Sequence, residues 1–497
     1  MKNDASLELW NRYGDYVLMA TAYMDEVLSD GQGCALRDVD GNEYLDFISG
    51  QICATLGHNH PALVERLEKQ LRRLIHTSTS FMSPVVFEAA AKFAEIMPGE
   101  LRKTVFLSTG AEANEYAVRL AKAYTGKTGV LCLCKGYAGL TLQTASLTNY
   151  GKAARPIVPG TGYLLTPDPT RCPAGTTPED WARELLDVSL ELNRGLLDNV
   201  AAIIFEPILS AGGLVVLPDD YIRRLRRLAD DLGALLIADE AQTGMGRTGR
   251  WYCVEHAGVT PDFMVSSKGV GGGMPLSAVT TTPAIAAEVL GRANQYSSHQ
   301  SDALAAAAGL AVIEVIEAEG LIQNARDMGA CMMAGLRELA ARHPRLTNVR
   351  GRGLMIGFDV AGDSEGAARG TEAASAVQDY CRSRGIITQF IQQGRFRVLP
   401  PLIVQKAHVD RYLSVLDEAL AALARGTIRP RPPSNAYSSA FAPRRWVAWK
   451  YTRSRSRRRG ACRRASARLL RITANACSTK RGCSCAISRS KGMERAL

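Results

Sequence analysis

Apolar and polar positions change rhythm twice along this chain of 497 residues. Residues 7–45 combine a helix-like start with strand-like pieces around 33–38 and a turn at Asp40-Gly41-Asn42. Over 61–75 and 85–97 apolar residues recur at helical spacing. Short apolar runs then take over at 104–107, 130–134, 201–205, 234–239, 263–266 and 278–281, separated by helical stretches. Such runs suit strands buried on both faces, and strand–helix alternation predicts a mostly parallel sheet covered by helices. An apolar helix over 304–319 leads into a smaller α+β region ending near residue 425. No run of about 18 apolar residues occurs, so no membrane span is expected. The polar start Met1-Lys2-Asn3-Asp4-Ala5-Ser6 lacks an apolar signal core, which makes a cytoplasmic location the expectation.

Charge changes this picture only at one end. The formal balance is +11, yet 18 of the 60 Lys and Arg follow residue 430, against one acid, Glu494. Residues 1–430 therefore carry 42 basic and 48 acidic groups, a mildly acidic body. The extension over 426–497 contains Arg431-Pro432-Pro433 and Ser454-Arg455-Ser456-Arg457-Arg458-Arg459 with little periodicity, a composition expected to be disordered. Such charge can bind phosphate without sequence preference. An accidental extension of the chain is the favoured reading, so a nucleic-acid partner is not expected. Of the 12 cysteines, eight are scattered through the body and read as small core residues in a reducing compartment. Cys132-Leu133-Cys134 and Cys483-Ser484-Cys485 lack a second pair at zinc-ligand spacing.

Candidate chemistry centres on Lys268 and Asp239. Lys268 emerges from a short apolar run into the glycine-rich loop Gly269, Gly271, Gly272 and Gly273. Burial there lowers an amine's pKa, and a neutral amine can attack an aldehyde. Asp239 closes the apolar run Leu235-Leu236-Ile237-Ala238, at the carboxyl end of a predicted parallel strand, where open α/β sheets bind ligands. A carboxylate so placed can keep a pyridine nitrogen protonated and make the ring an electron sink. Together they suggest pyridoxal 5′-phosphate. Ser108-Thr109-Gly110-Ala111 follows a strand and opens a helix, so its backbone N–H groups and the Thr109 hydroxyl suit the cofactor phosphate.

Several separated motifs then occur in a specific order: Asp46-Phe47-Ile48-Ser49-Gly50-Gln51, Gly57-His58-Asn59-His60-Pro61, Leu107-Ser108-Thr109-Gly110-Ala111-Glu112-Ala113-Asn114-Glu115, Glu206-Pro207-Ile208-Leu209-Ser210 and Phe396-Arg397-Val398-Leu399-Pro400-Pro401-Leu402. On these the chain, from about residue 7 to about 424, resembles the class III, fold-type I pyridoxal-phosphate aminotransferases. Within that family it looks most like the 2,2-dialkylglycine decarboxylases. The resemblance implies an α/β large domain over 46–310 with a mostly parallel seven-stranded sheet between helices. It also implies a small α+β domain over 311–425 with which residues 1–45 pack.

The resemblance further implies roles for single residues. Tyr137 stacks on the cofactor ring, although it and Ala138 depart from the Trp-His-Gly of the decarboxylases. Gln242 donates to the ring's phenolate oxygen. Gln51 holds a departing carboxylate, and Arg397 grips a substrate carboxylate bidentately. Ala211 stands where relatives acting on ω-amines often carry a glutamate, so Arg397 stays available to α-amino and α-keto acids. Ser298 serves the phosphate of a neighbouring subunit, implying a homodimer or dimer of dimers. Oxygens of Thr77, Thr79, Ser298, Gln300 and Asp302 hold an alkali cation such as K+, although the segment after Thr79 is one residue shorter here. A capping role for Asp302 competes with the ligand role. The implied activity is decarboxylation of a 2,2-dialkylglycine, such as 2-aminoisobutyrate, to a ketone, coupled to amino transfer to pyruvate. The alternative is plain amino transfer between an amino acid and a keto acid, or a related isomerisation, which needs no Gln51. A non-catalytic binding protein is disfavoured by the joint presence of Lys268, Asp239, Gln242 and Arg397.

Overall fold

The structure, a computed structural model, describes residues 4–21, 23–149, 157–362 and 367–429; the basic extension predicted after residue 426 falls almost wholly outside them. A seven-stranded sheet forms the centre, in the order Lys103–Leu107, Ser277–Thr281, Phe263–Ser266, Leu235–Asp239, Val200–Phe205, Gly129–Leu133, Thr161–Leu164. Every neighbouring pair is parallel except the two made by Ser277–Thr281, which runs antiparallel to both its neighbours. The sheet is therefore mixed but mostly parallel, as expected. Its edge strand Thr161–Leu164 was not predicted, because Gly162 and the threonine break any apolar run.

Alternation along the strands divides the core in two. Ala202, Ile204, Leu235 and Ile237 pack with Ala113, Ala117 and Val118 of the helix Gly110–Thr125. Ile203, Phe205, Leu236 and Ala238 face the other way, toward Tyr221, Ile222 and Leu225 of Asp219–Asp231. With both faces covered, these strands need apolar residues at every position. Each fully buried Leu, Ile or Val contributes roughly 1.5–3 kcal/mol.

A two-stranded pairing of Ile208–Leu209 with Val215–Val216 and two four-stranded sheets accompany the first. One pairs Leu28–Gln32, Ala35–Asp38 and Glu43–Asp46 antiparallel, with Ile386–Ile387 added parallel to the last strand. The other is antiparallel, in the order Leu346–Arg352, Met355–Val360, Arg395–Val398, Gln389–Ile391. No helix among the described residues is long and apolar enough to cross a membrane. All eight cysteines among those residues are free thiols.

Candidate active site

Strand ends gather the chemistry on one side of the large sheet. Asp239 is the last residue of its strand, Glu206 directly follows Val200–Phe205, and Lys268 lies two residues past Phe263–Ser266. A cavity of about 590 Å3 opens there, walled by Thr109, Gly110, Ala111, Asn114, Tyr137, Asp239 and Lys268 among others. It is the crevice in which open α/β sheets take ligands. Six of the residues picked from the sequence thus share one wall. Gln51, Gln242, Arg397 and Ser298 do not line it.

Lys268 occupies a left-handed conformation (φ 51°) at the start of the 3-10 turn Lys268–Gly271. Burial lowers the pKa of its amine, with Asp239 and then Glu206 pulling the other way. Asp239 is 5% exposed and pushed up by burial, which the charge of Lys268 opposes. Its Oδ2 accepts a hydrogen bond from Asn114 Nδ2 (2.7 Å), and its Oδ1 accepts the Ala241 amide (3.1 Å). The same Asn114 nitrogen donates to the Ala138 carbonyl at 2.9 Å. Asn114 sits on Gly110–Thr125 one turn in from Gly110, so one helix supplies both the cavity's amide-lined end and the brace on Asp239.

That helix is capped by Thr109, whose Oγ1 accepts the Glu112 amide at 3.2 Å and keeps its own proton to donate. Bare backbone crowds the cavity at this point. A Cβ on Gly139 (φ 133°) would lie 2.5 Å from the Ala111 Cβ, and one on Gly110 would meet Ser267 at 3.2 Å. Tyr137 is half-buried in the wall, its amide donating to Glu206 Oε1 at 2.8 Å. Gln242 is half-buried, and its buried Oε1 has no hydrogen-bond partner among the described residues.

The segment carrying Gln51 is strained. Ser49, Gly50, Gln51 and Ile52 have φ of 48°, 50°, 65° and 74°, a left-handed turn that costs non-glycine residues roughly 1–2 kcal/mol each. Surrounding bonds hold it there. Asp46, buried, accepts the amides of Ile48 (2.8 Å) and Gly50 (2.7 Å) and contacts His58 Nε2 at 2.9 Å. Ser49 Oγ donates to the Leu399 carbonyl, and the Leu399 amide donates to the Phe47 carbonyl at 2.7 Å. Gln51 itself is exposed, while Cys53, just beyond the turn, reaches the cavity wall.

Arg397 is 5% exposed on the strand Arg395–Val398. Its Nη1 donates to Ser210 Oγ at 3.2 Å and its Nη2 to Gln389 Oε1. It lies close enough to Lys268 to depress the amine's pKa further. Among the expected cation ligands, Thr77, Thr79 and Gln300 are half-buried and Ser298 is exposed. Asp302 precedes the helix Ala303–Ala318 but makes no side-chain cap, which sets aside the capping reading. Its two oxygens instead take His76 Nδ1 and His299 Nδ1, each at 2.5 Å. Asn114, Glu206 and the two histidines were not singled out from the sequence, because only tertiary contacts give them a partner.

Known proteins resemble this chain in sequence and fold. The family model of the class-III aminotransferases matches residues 19–420. An uncharacterized aminotransferase of Schizosaccharomyces pombe is 34% identical over 433 residues, 85% of this chain and 95% of the relative. A leucine/methionine racemase of Thermococcus litoralis is 33% identical over 438 residues, 86% and 98% of the two chains. Among solved structures, an amine transaminase from an uncultivated Pseudomonas species in its PLP-bound form superimposes with a TM-score of 0.76 at 29% identity, covering 82% of this chain and 98% of that one. Matched by that family model over most of its length and 34% identical to a full-length relative, the chain belongs to the class-III aminotransferase family.

Proposed function

We propose that this protein is a pyridoxal-phosphate-dependent aminotransferase acting between an α-amino acid and a keto acid. One observation carries the reading: Lys268, with a depressed amine pKa, and the braced carboxylate of Asp239 wall the same cavity, which ends on the first turn of a helix. The residues fit the cofactor. The Gly110 and Ala111 end of the cavity offers amides and a hydroxyl to a phosphate. Tyr137 supplies an aromatic ring in the wall, while Gln242, with its Oε1 unpartnered among the described residues, stands outside that wall.

When bound, the cofactor supplies an aldehyde for the substrate amine and a ring that takes up electrons while its nitrogen stays protonated. Asp239 holds that proton, and Asn114 holds Asp239. The Lys268 amine carries the substrate proton between carbon atoms, a task suited to an amine whose pKa burial has brought down. Arg397 orients the substrate through its carboxylate, and residue 211 is an alanine rather than an acid, which suits α-carboxylates.

Decarboxylation of a 2,2-dialkylglycine is the finer reading. Gln51 supports it by its residue type and by the strained backbone that carries it two residues before Cys53 of the cavity wall. The relatives' names speak of amino transfer and racemisation, so plain amino transfer is the better-supported reading. Both oxygens of Asp302 are taken by imidazoles, so no step is assigned to a K+ ion. A homodimer, with Ser298 serving the partner's phosphate, belongs to the same proposal, and native mass measurement tests it.

The test uses the full chain loaded with pyridoxal phosphate and offered L-alanine, L-leucine or 2-aminoisobutyrate with pyruvate or 2-oxoglutarate. New keto and amino acid in equal amounts support the reading. D-amino acid without keto acid would replace it by racemisation, and carbon dioxide with acetone from 2-aminoisobutyrate would establish the finer reading. Lys268→Ala should abolish turnover; turnover at the native rate in that variant refutes the assignment.

A further inference from the structure

Two carboxylates stand side by side beneath the cavity. The strands Val200–Phe205 and Leu235–Asp239 are parallel neighbours with Phe205 opposite Ala238, so Glu206 and Asp239 follow as neighbours at the strand ends. They are 8% and 5% exposed. Asp239 has a task in the mechanism above, and Glu206 has none. Its role shows in what it holds. Glu206 Oε1 accepts the Tyr137 amide at 2.8 Å, and the same carboxyl accepts the Ser210 amide. Ser210 is fully buried; its Oγ accepts Arg397 Nη1 at 3.2 Å, and its carbonyl accepts the amides of Gly213 (3.2 Å) and Leu214 (3.1 Å). One side chain therefore anchors both the backbone beneath the ring-stacking tyrosine and the backbone that seats the substrate-binding arginine.

Resting on the aminotransferase reading, we propose that Glu206 is a positioning residue that ties Tyr137 to the Ser210–Arg397 pair and, by carrying the shared proton, leaves the negative charge on Asp239. Two adjacent buried carboxylates do not both ionise cheaply, and they titrate as a pair. The location of the charge follows from what faces each group. After burial, the strongest influence on Asp239 is the opposite charge of Lys268, and Asn114 donates to it. After burial, the strongest influence on Glu206 is Asp239 itself, against which Tyr137, Lys268 and Ser210 act more weakly. Glu206 is thereby pushed up to about 8 and is neutral below that pH. A neutral carboxyl still offers a carbonyl oxygen to both amides, and it places no second negative charge under the ring.

The experiment compares Glu206→Ala, Glu206→Gln and Glu206→Asp in the full chain loaded with pyridoxal phosphate. Three readouts are taken: the pH midpoint of the bound cofactor's visible absorbance, cofactor dissociation, and the split between KM and kcat. Glu206→Ala frees two buried amides and should raise KM for the amino acid about tenfold or more, with faster cofactor loss. Glu206→Gln keeps the acceptor and lacks the charge, so it should restore KM and slow cofactor loss toward the native values. It should also remove any change in KM that the native enzyme shows as pH passes about 8. Glu206→Asp, one methylene short, should behave like the alanine variant. Native KM, cofactor retention and absorbance midpoint in Glu206→Ala overturn the proposal. So does a glutamine variant as impaired as the alanine one, because charge rather than anchoring would then matter. A native protein that transfers no amino group overturns the aminotransferase reading instead, so the two failures are distinguishable.

Discussion

Gln51→Gly should make the fold more stable while removing the side chain proposed to hold a departing carboxylate. Gln51 has φ 65° within four consecutive left-handed residues, of which only Gly50 lacks a Cβ. A side chain there costs roughly 1–2 kcal/mol. Glycine relieves that cost but adds freedom to the unfolded chain, which returns roughly 0.5–1 kcal/mol. Gln51 is exposed, so little packing is lost. The expected net gain is about 0.5–1 kcal/mol. Gln51→Ala is the control: it removes the amide but keeps the Cβ, and so the strain. Denaturant midpoints of both variants, compared at matched slopes, isolate the backbone contribution. Gly50→Ala supplies the opposite sign, losing about 1 kcal/mol, since φ is 50° and the nearest side-chain atom to the added Cβ, His58 Cε1, is 3.5 Å away. The two Gln51 variants should lose any decarboxylation of 2-aminoisobutyrate equally, because both lack the amide. A glycine variant no more stable than the alanine variant would show that the turn is unstrained and that nothing is stored there for function.

Other predictions probe the carboxylate grip, the crowded backbone and a buried acid. Arg397→Ala should raise KM for α-amino acids and keto acids by roughly 30-fold or more, the scale of losing a buried charged hydrogen-bonded pair, while an amine without a carboxylate is spared. Equal loss with both substrates would show that Arg397 only packs. Gly139→Ala should destabilise the fold and weaken cofactor retention, because its Cβ would sit 2.5 Å from the Ala111 Cβ at a φ of 133°. Native retention measured by dialysis would refute that clash. Glu240 is 1% exposed, accepts the Val254 amide at 2.8 Å and is pushed up to about 7 by burial, from an ordinary 4.5. The native state then holds a proton that the unfolded chain has released, so stability falls as pH rises from about 4.5 to about 7. Glu240→Gln should flatten that slope, worth at most about 3 kcal/mol, and an unchanged slope would place the titration elsewhere.

Chain-local signals explain which residues were legible in advance. Lys268, Asp239 and Thr109–Ala111 each end an apolar run or open a glycine-containing loop, and the structure sets them in one cavity wall. Six of the seven strands of the large sheet were visible for the same reason, while Thr161–Leu164 lacks an unbroken apolar run. Strand direction and order were not readable: nothing in Ser277–Thr281 announces that it runs antiparallel to both neighbours. Conformation also ran against residue type at Gln51 and Ile52, whose side chains disfavour the left-handed turn that the Asp46, Ser49 and Leu399 bonds impose. Asp302 could be a cap or a ligand on sequence alone, and its two imidazole partners come from opposite sides of the large domain's chain order, at 76 and 299.

Asn114 and Glu206 show the deeper reason for what sequence reasoning leaves out. Both lie inside motifs that identify the family, yet neither carries a local mark of function: one is a polar residue in a helix, the other an acid before a proline. Their roles arise from strand register. Once Phe205 pairs with Ala238, Glu206 must face Asp239, and burial forces the two acids to divide one charge between them. Once the helix Gly110–Thr125 packs over the sheet, Asn114 meets Asp239 and biases that division toward it. The acid that meets the cofactor is thus selected by its neighbours. Exchanging Asn114 for Leu, which keeps the helix but removes the donor that favours the Asp239 anion, should therefore shift the pH midpoint of the bound cofactor's absorbance, whereas Glu206→Gln, neutral like the protonated acid it replaces, should leave it near the native value. A native midpoint in Asn114→Leu would mean that Asn114 acts on packing alone.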